Sequence, residues 1–478
     1  MKPLFMSLGF AALGLLLIAA APEDKSKGGG KGGAGQGGQV EPAVVPPYLF
    51  NVWLCRPGAE SVTVSVLAWD DMEAFIEYGE GNLGIPGPSD GAGMPRLRSE
   101  PLKLKAGEPQ NIVLGGLKPD TNYNYRLIYR RAGGEEVQDA TRSFHTQRKA
   151  GSKFSFVMQA DSHLDNNTDV RVYQQTLANM LADKPDFMID LGDTTMVDKF
   201  GRFYTRSESQ YKAQRYFMGR LAHSVPIFMV LGNHDGEKGS DPEMSEWSLK
   251  QRHTFFPNPT DGNDKHNYFA FEWGNALFIG LDPFWATTKR GASGWDMTLG
   301  ETQYRWLTKT LTSSKAAMRF VFIHHLVGGL GRDVRGGAKP AAYMEWGGQN
   351  ADGSEGFKQN RPGWEMPIHE LFVKNRVNIV FHGHDHLFVK EELDGIIYQE
   401  VPQPGHPTGG TRSAEEYGYT GVVLGSAGHV RVTVSENEAK VDYVRSIVLG
   451  VTRSDLENGT VEHSYVVRQR TQSPNTRP

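Results

Sequence analysis

Short apolar runs recur after Ser152, and because they do not alternate with polar residues they constrain the fold more than any other feature of the sequence. Continuous apolar strands are typical of sheets that are covered on both faces. Trp306, Leu307 and Leu311 keep helical spacing between two of the runs. The pattern predicts an α/β domain in four layers, with two stacked sheets flanked by helices. The runs are residues 154–158, 187–191, 227–231, 277–281, 320–323 and 377–381. Later strands around 421–424 and 430–434 are expected to be antiparallel.

Residues 48–145 follow a different pattern, because their apolar residues alternate with polar ones, as in Val62, Val64 and Val66. Alternation indicates half-buried strands, so this segment predicts a small all-β sandwich. The sequence Leu-Lys-Pro-Asp-Thr-Asn-Tyr at 117–123 resembles the turn and strand of fibronectin type III-like domains. The predicted boundaries are 48–148 for the sandwich, 149–450 for the α/β domain and 451–478 for a C-terminal tail.

The N-terminus is typical of an export signal, since Lys2 precedes a mostly apolar run at 8–18 and small residues follow at 19–21. A membrane anchor is the alternative, but the run is shorter than the roughly 20 apolar residues that a spanning helix needs. Residues 21–47 are rich in glycine and small residues, which predicts a flexible linker. We therefore expect residues 1–20 to be removed. The mature protein is expected to be secreted or periplasmic, without stable membrane insertion.

The composition is that of a soluble globular protein, with 38% hydrophobic and 22% charged residues in a chain of 478. The net charge of -4 gives little attraction to nucleic acid, so no nucleic-acid partner is expected. Cys55 is the only cysteine. It has no partner for an intrachain disulfide, and a small apolar core residue is the favoured interpretation.

Five of the apolar runs are followed by the blocks of Asp, His and Asn residues that are candidate metal ligands. Open α/β sheets bind ligands at the carboxyl ends of their strands, so these side chains are expected to converge. One such residue alone is more often a turn former or a helix cap, but five coincidences are poorly explained in that way. The candidate metal ligands are Asp161, His163, Asp193, Asn233, His324, His384 and His386.

The mixture of side chains indicates the class of metal. Carboxylates with neutral imidazoles and an amide oxygen suit two divalent or trivalent transition-metal ions, and Fe, Mn and Zn are the candidates. Magnesium or calcium sites would contain more oxygen ligands.

The five blocks resemble the signature of the calcineurin-like metallophosphoesterase superfamily, and the preceding sandwich resembles the layout of purple acid phosphatases. This resemblance divides the seven ligands between two ions: Asp161, His163 and His386 for the first, Asn233, His324 and His384 for the second, with Asp193 bridging them.

The sequence departs from these relatives at Met196, three residues after the bridging Asp. Purple acid phosphatases have a Tyr ligand at this position, so the iron–phenolate chromophore should be absent here. Calcineurin-type phosphatases have an Asp there that orients the His of the Gly-Asn-His block. Methionine cannot do so, and the sequence therefore leaves the partner of His234 unidentified.

The resemblance implies hydrolysis of a small-molecule or exposed phosphate ester by water activated between the metals. His234 is the candidate that stabilises developing charge and protonates the leaving group, with Asp235 beside it in sequence. His325 adjoins a ligand, and a catalytic role and a core position are equally compatible with that place. The choice between monoester and diester, and the oligomeric state, are left open.

A loop at 326–365 leaves a ligand-bearing strand and is expected to lie over the metals. Its basic residues could clamp substrate phosphate, or the loop could be a solvated surface segment. The residues of interest are Arg332, Arg335, Lys339, Glu345, Trp346 and Arg361. Two further function classes stay open: a partner- or glycan-binding protein with an inactive metal domain, and a structural envelope protein tethered by its glycine-rich segment.

Overall fold

The computed structural model describes residues 45–81, 83, 96–260, 267–292, 294–327 and 336–470. The predicted signal at 1–20 and most of the predicted linker lie outside the described residues, so both stay predictions. In the described part of the chain, no helix is long and apolar enough to cross a membrane.

Two β-sheets form the N-terminal domain, as the alternating pattern predicted. Its strands are β1 Phe50–Cys55, β2 Ser61–Ala68, β3 Met72–Glu80, β4 Leu97–Arg98, β5 Leu102–Leu104, β6 Gln110–Gly115, β7 Asn122–Arg131, β8 Val137–Gln138 and β9 Arg142–His145. β1, β2 and β6 make one antiparallel sheet, and the other six strands make the second. Val64, Ile76 and Tyr125 belong to the buried core that the two sheets share.

β2 departs from the alternation expected of a half-buried strand, because Thr63 and Ser65 are buried like the valines on either side of them. The cause is a second contact surface. Trp53 and Leu67 of the same sheet pack into a cluster with Tyr211 of the α/β domain. Both faces of this sheet are therefore covered.

The α/β domain contains two further sheets. Its strands are β10 Phe154–Gln159, β11 Phe187–Asp190, β12 Ile227–Met229, β13 Phe269–Trp273, β14 Ala276–Gly280, β15 Met318–Phe322, β16 Ile379–His382, β17 Phe388–Leu393, β18 Ile396–Glu400, β19 Val422–Leu424, β20 Gly428–Val434, β21 Glu438–Arg445 and β22 Val461–Arg468. The first sheet has the order β12-β11-β10-β20-β21-β22, and the second has the order β13-β14-β15-β16-β18-β17-β19.

The six apolar runs of the sequence correspond to β10, β11, β12, β14, β15 and β16, all of which pair in parallel with a neighbour. As expected, the late strands are antiparallel: β19 pairs with β17, and β20 pairs with β10. The sheets face each other across a core of aromatic rings that includes Phe156, Phe278 and Phe381. This core fixes the two sheets relative to each other, so the ends of their parallel strands meet at one edge.

Helices cover the outer faces of the two sheets. They are α1 Val170–Ala182, α2 Glu208–Ala222, α3 Pro242–Phe255, α4 Gly300–Ser313, α5 Met344–Gly347, α6 Phe357–Asn360, α7 Ile368–Lys374 and α8 Arg412–Tyr417, with 3₁₀ segments at Val197–Ser207, Gly294–Asp296 and Pro340–Ala342. Leu177 of α1 and Met218 of α2 pack outside the first sheet. Leu307 of α4 and Phe372 of α7 pack outside the second. The predicted four layers are confirmed.

Arg215 of α2 joins the two domains. Its side chain is completely buried, and its guanidinium donates to the side-chain oxygen of Asn51 and to the backbone and side chain of Ser65. It also lies 5.2 Å from the ring centroid of Trp53. Burial lowers the pKa of this guanidinium to about 10. Cys55 is buried in the same interface, as the core interpretation expects.

The segment predicted as a C-terminal tail contains β22, which pairs antiparallel with β21 at the edge of the first sheet. Tyr465 in this strand donates a hydrogen bond to the side-chain oxygen of Gln399 in β18 of the other sheet. The segment therefore contributes to the packing of the α/β domain.

Candidate metal centre

The predicted ligands lie just beyond the ends of β10, β11, β12, β15 and β16. Four of them have left-handed backbone: φ is 57° at Asp161, 50° at Asp193, 88° at His384 and 63° at His386. A residue with a Cβ atom adopts this conformation at a cost of about 1 kcal/mol or more, and such strain collects at functional sites. The loops here are therefore shaped to aim side chains.

The first ligand group consists of Asp161, His163 and His386, whose ligand atoms all lie within 4.8 Å of one another. Nε2 of His163 is 3.3 Å from Nε2 of His386, which is itself 3.5 Å from Oδ1 of Asp161. This Oδ1 is buried and accepts no hydrogen bond from the described residues. A bound cation would satisfy it and would also separate the two facing ring nitrogens.

The second ligand group consists of Asp193, His324 and His384, again within 4.8 Å. Nε2 of His324 lies 3.3 Å from Oδ2 of Asp193, 3.2 Å from Nδ1 of His384 and 3.1 Å from Oδ1 of Asn233. Nδ1 of His324 is 2.9 Å from the carbonyl oxygen of Leu191. A carbonyl only accepts, so Nδ1 carries a proton, and the lone pair of Nε2 would face the group once a metal ion replaces the second ring proton.

The two groups adjoin, since Nε2 of His324 in the second is 4.0 Å from Oδ1 of Asp161 in the first. All seven predicted ligands are thus brought together, with Asn233 beside the second group. The donor set of carboxylates, imidazoles and one amide oxygen fits two transition-metal ions. The bridging role of Asp193 and the identity of the metals stay predictions.

The electrostatics of the centre also favour cations. Burial alone would lower the pKa of His324, but the carboxylates of Asp193 and Asp161 outweigh it and raise that pKa to about 10. The same interactions hold the pKa of Asp193 well below its usual range despite its burial. The carboxylates thus keep their charge in a closed space, where a metal ion can replace the protons.

Residues 154–388 match the family model of the calcineurin-like phosphoesterases. The α/β domain belongs to this family. Together with its two candidate metal groups, this makes the chain a metal-dependent phosphoesterase.

Two solved structures share the fold. A purple acid phosphatase, PPD1, from yellow lupin (Lupinus luteus) seeds is 18% identical with a TM-score of 0.57, and the match covers 87% of this chain and 73% of that one. A structure of PhoD is 15% identical with a TM-score of 0.62, covering 89% and 92%. No curated protein sequence matches the chain. Both structural matches extend over the N-terminal sheets as well as the phosphoesterase domain.

The phosphoesterase domain supplies His234 with a partner that the sequence did not reveal. Nδ1 of His234 is 2.8 Å from Oδ1 of Asp198, whose other oxygen lies 3.1 Å from Nζ of Lys238. Met196 stands where the related phosphatases have a Tyr or an Asp. It is buried, and its backbone amide donates to the side-chain oxygen of Gln210. Asp198 lies two residues further on, in the 3₁₀ segment. A search for an acidic residue near Met196 would have found it.

His234 is directed toward the second ligand group. Its Nε2 lies 3.9 Å from Oδ2 of Asp193, and its side chain is 21% exposed. Burial would lower the pKa of His234, but the charges of Asp193 and Asp198 raise it. An imidazole oriented in this way, beside the second ligand group and partly exposed to solvent, is suited to proton donation.

Asp235 was predicted as catalytic, and its geometry instead gives it a positioning role. Its carboxylate is buried and accepts from the backbone amides of Gly232, Asp193 and Thr195 at 2.8 to 3.0 Å. The hydroxyl of Thr195 donates to it as well. These bonds tie the loop after β11 to the loop after β12. Asp235 thus holds two ligand loops together.

His325 lines a cavity of about 240 Å³ together with Asn233, Lys238 and His384. Its ring packs edge-on against Phe284, with centroids 5.1 Å apart, and lies 4.9 Å from the ring of His384. Burial and the nearby charge of His324 lower the pKa of His325 to about 3, so its ring is neutral. His325 therefore forms a wall of the space beside the second ligand group.

The described part of the 326–365 loop is anchored in the domain. Glu345 is buried and forms an ion pair at 2.6 Å with Arg361, so this guanidinium is already engaged. Trp346 is also buried and donates to the hydroxyl of Tyr398 at 2.9 Å. The geometry gives these three residues a structural role. Arg332 and Arg335 lie outside the described residues.

Proposed function

We propose that the chain is an exported phosphoesterase that hydrolyses phosphate esters at a two-ion centre. One observation carries this proposal: two groups of Asp and His, each within 4.8 Å, adjoin at one sheet edge, and a cavity opens beside the second. An inactive binding domain or a structural envelope protein would have no need of strained backbone at four ligands.

The two ligand groups would hold the ions, with Asn233 completing the second and Asp193 between them. When bound, such ions supply Lewis-acid activation of water and neutralise the charge on the phosphoryl oxygens. The chain itself positions the substrate. The cavity lined by Phe284 and His325 accepts the alcohol portion and limits its size.

His234 is assigned the proton transfer. In its charged form, the proton on Nδ1 is held by Asp198, which leaves the proton on Nε2 for the leaving oxygen. The ammonium group of Lys238 donates to the other oxygen of Asp198 and so helps to fix the position of this carboxylate. The arrangement resembles a base–orienter pair, in which the carboxylate fixes the ring and stabilises its charge.

The proposal is tested on metal-exchanged protein. We expect close to two transition-metal ions per chain by elemental analysis, and turnover of a chromogenic phosphate monoester or diester. Fewer than one ion, with none recovered on reconstitution, would contradict the two-ion centre. Full metal loading without turnover of any phosphoester in a broad panel would instead favour a binding or structural role.

Export is proposed from the N-terminal sequence. The apolar run at 8–18 and the small residues at 19–21 support removal of residues 1–20 and a secreted or periplasmic mature protein. N-terminal sequencing of native protein tests it. Retention of Met1 on membrane-held protein would favour the anchor alternative.

A further inference from the structure

A basic and aromatic cluster lies on the 3₁₀ segment Val197–Ser207. Phe203 is 47% exposed, and the guanidinium carbons of Arg202 and Arg206 each lie 4.7 Å from its ring centroid. Both arginines are exposed. In the described part of the chain, neither forms an ion pair with a carboxylate. We call these three residues the arginine clamp.

The arginine clamp lies close to the catalytic residues. The same segment carries Asp198, the partner of His234, four residues before Arg202 and eight before Arg206, so the chain between them spans at most about 14 Å and 28 Å. Lys199, also exposed, follows Asp198 directly and lies close enough to His234 to oppose its protonation. The clamp therefore lies on the segment of the orienting acid and outside the cavity lined by Phe284 and His325.

The charge of this surface is not explained by the reaction itself. The reacting phosphoryl group is served by the ligand groups and His234. Asp198 is already shared between His234 and Lys238, and Glu208 at the end of the segment pairs with Lys212 at 2.7 Å. Among the residues that the structure describes, Lys199, Arg202 and Arg206 are therefore exposed cations without an ion pair, although the net charge of the protein is -4.

The chemistry of the clamp selects phosphate among anions. Planar guanidinium groups bind phosphate oxygens through paired N–H donors, and Arg is preferred where that geometry matters. The ring of Phe203 interacts with both guanidiniums and so restricts their orientation before a ligand binds. Because these cations already occupy the ring, it is poorly available for stacking on a nucleobase.

We propose that the arginine clamp is a second phosphate-binding subsite, which favours substrates that carry a further phosphate beyond the one that is hydrolysed. This inference rests on the proposed function and narrows its substrate class. A phosphate chain or a multiply phosphorylated alcohol places one phosphate at the metals and another between Arg202 and Arg206.

The test compares inhibition by inorganic phosphate with inhibition by a medium-chain linear polyphosphate, using p-nitrophenyl phosphate as the reporter substrate. The wild-type protein should bind polyphosphate more tightly. Arg202→Ala/Arg206→Ala should weaken polyphosphate inhibition about tenfold and leave the KM of the reporter unchanged. Phe203→Leu keeps both charges but removes the ring that orients them, so its affinity for polyphosphate should fall about threefold. Calorimetric titration of polyphosphate into the same proteins gives an equilibrium check.

Arg220→Ala is the matched control, because Arg220 is an exposed arginine near the end of α2, about 20 Å along the helix from Arg206. Equal losses in the control and in the double variant would overturn the subsite, since they would reflect net charge alone. So would equal affinity of the wild-type protein for both inhibitors. A single-stranded oligonucleotide is titrated as a further inhibitor. If the double variant lost affinity for the oligonucleotide but not for polyphosphate, the cluster would be a nucleic-acid contact and the proposal would be overturned. Failure of the wild-type protein to hydrolyse the reporter would instead contradict the proposed function.

Discussion

The two ligand groups contain the same kinds of side chain, but the protein holds them differently. In the second group, His324 is completely buried and fixed by a backbone carbonyl. In the first group, the side chain of His386 is 32% exposed, and Nδ1 of His163 lies 3.2 Å from the partly exposed carboxylate of Asp165 without hydrogen-bond geometry. His234 and the cavity adjoin the second group only. Each group has one partly exposed His, His386 in the first and His384 in the second, so the groups differ mainly in what fixes the buried imidazole. His324 is held by a backbone carbonyl and His163 only lies near a carboxylate, so we expect the first group to release its ion more readily.

The largest expected effect comes from the residue assigned to both groups. Asp193→Asn removes the proposed bridging charge while keeping an oxygen to accept from the amide of His234. Metal content and turnover should fall together, by more than the roughly 100-fold that the loss of an orienting partner costs. Elemental analysis and turnover of the same preparation check this. Normal occupancy of both ions, with an unchanged melting temperature, would show that Asp193 bridges nothing.

His234→Ala tests whether the acid lies beside the second group. The metals should stay bound, and turnover of esters of poorly acidic alcohols should fall on the order of 100-fold. The loss should be much smaller for a nitrophenyl ester, because nitrophenolate leaves without a proton. Similar losses on both ester types would indicate charge stabilisation at phosphorus instead. Full activity on both would redirect attention to His325.

Asp198→Asn sharpens the same point with a smaller change. The amide can still accept from Nδ1 of His234 but carries no charge, so we expect about a tenfold loss on esters of poorly acidic alcohols and no loss of metal. Asp71→Asn, which alters an exposed carboxylate paired with Lys105 in the N-terminal domain, is the matched control. Turnover equal to wild type would mean that Asp198 only contributes to local packing.

Asp165→Asn addresses the first group alone. Removing the negative charge 3.2 Å from Nδ1 of His163 should weaken the binding of one of the two ions about tenfold, and saturating metal should restore turnover. A competition titration with a chelator measures this, and it should show that one ion leaves earlier than in the wild-type protein. Simultaneous release of both ions at one chelator concentration would contradict the difference between the groups.

The smallest expected effect is spectroscopic: the iron-loaded protein should show no strong visible absorption band. Met196 replaces the Tyr ligand of the purple relatives, so protein loaded with ferric iron should lack a strong visible phenolate band. The visible spectrum of iron-reconstituted protein is the measurement. A purple protein would show that another tyrosine reaches the metals.

The sequence predicted the positions of the ligands because they depend on a simple geometric rule. Parallel strands end at the same sheet edge, so residues such as Asp161 and His324 converge although they are far apart in the chain. The direction of a side chain within a loop is not encoded so simply. Asp235 adjoins His234 in sequence, but its carboxylate turns into three backbone amides. Asp198 was missed because a short 3₁₀ segment moves the orienting acid two residues along the chain.

The interface between the domains was also invisible in the sequence. Alternation reports one buried face of a strand, and the small polar residues Thr63 and Ser65 give no sign that the other face is covered. A buried arginine on a helix is likewise unexpected from composition. Only the folded arrangement shows that Arg215 satisfies its donors on Asn51 and Ser65.

The junction made by Arg215 has a consequence for how the chain is made. Asn51 and Arg215 are 164 positions apart, and domains emerge from the ribosome in order from the N-terminus. The first domain is therefore complete while the helix that covers one of its faces has yet to be synthesised. During that interval Trp53 is exposed to solvent, and the nascent chain carries an apolar surface that its own later half covers once that half has been synthesised.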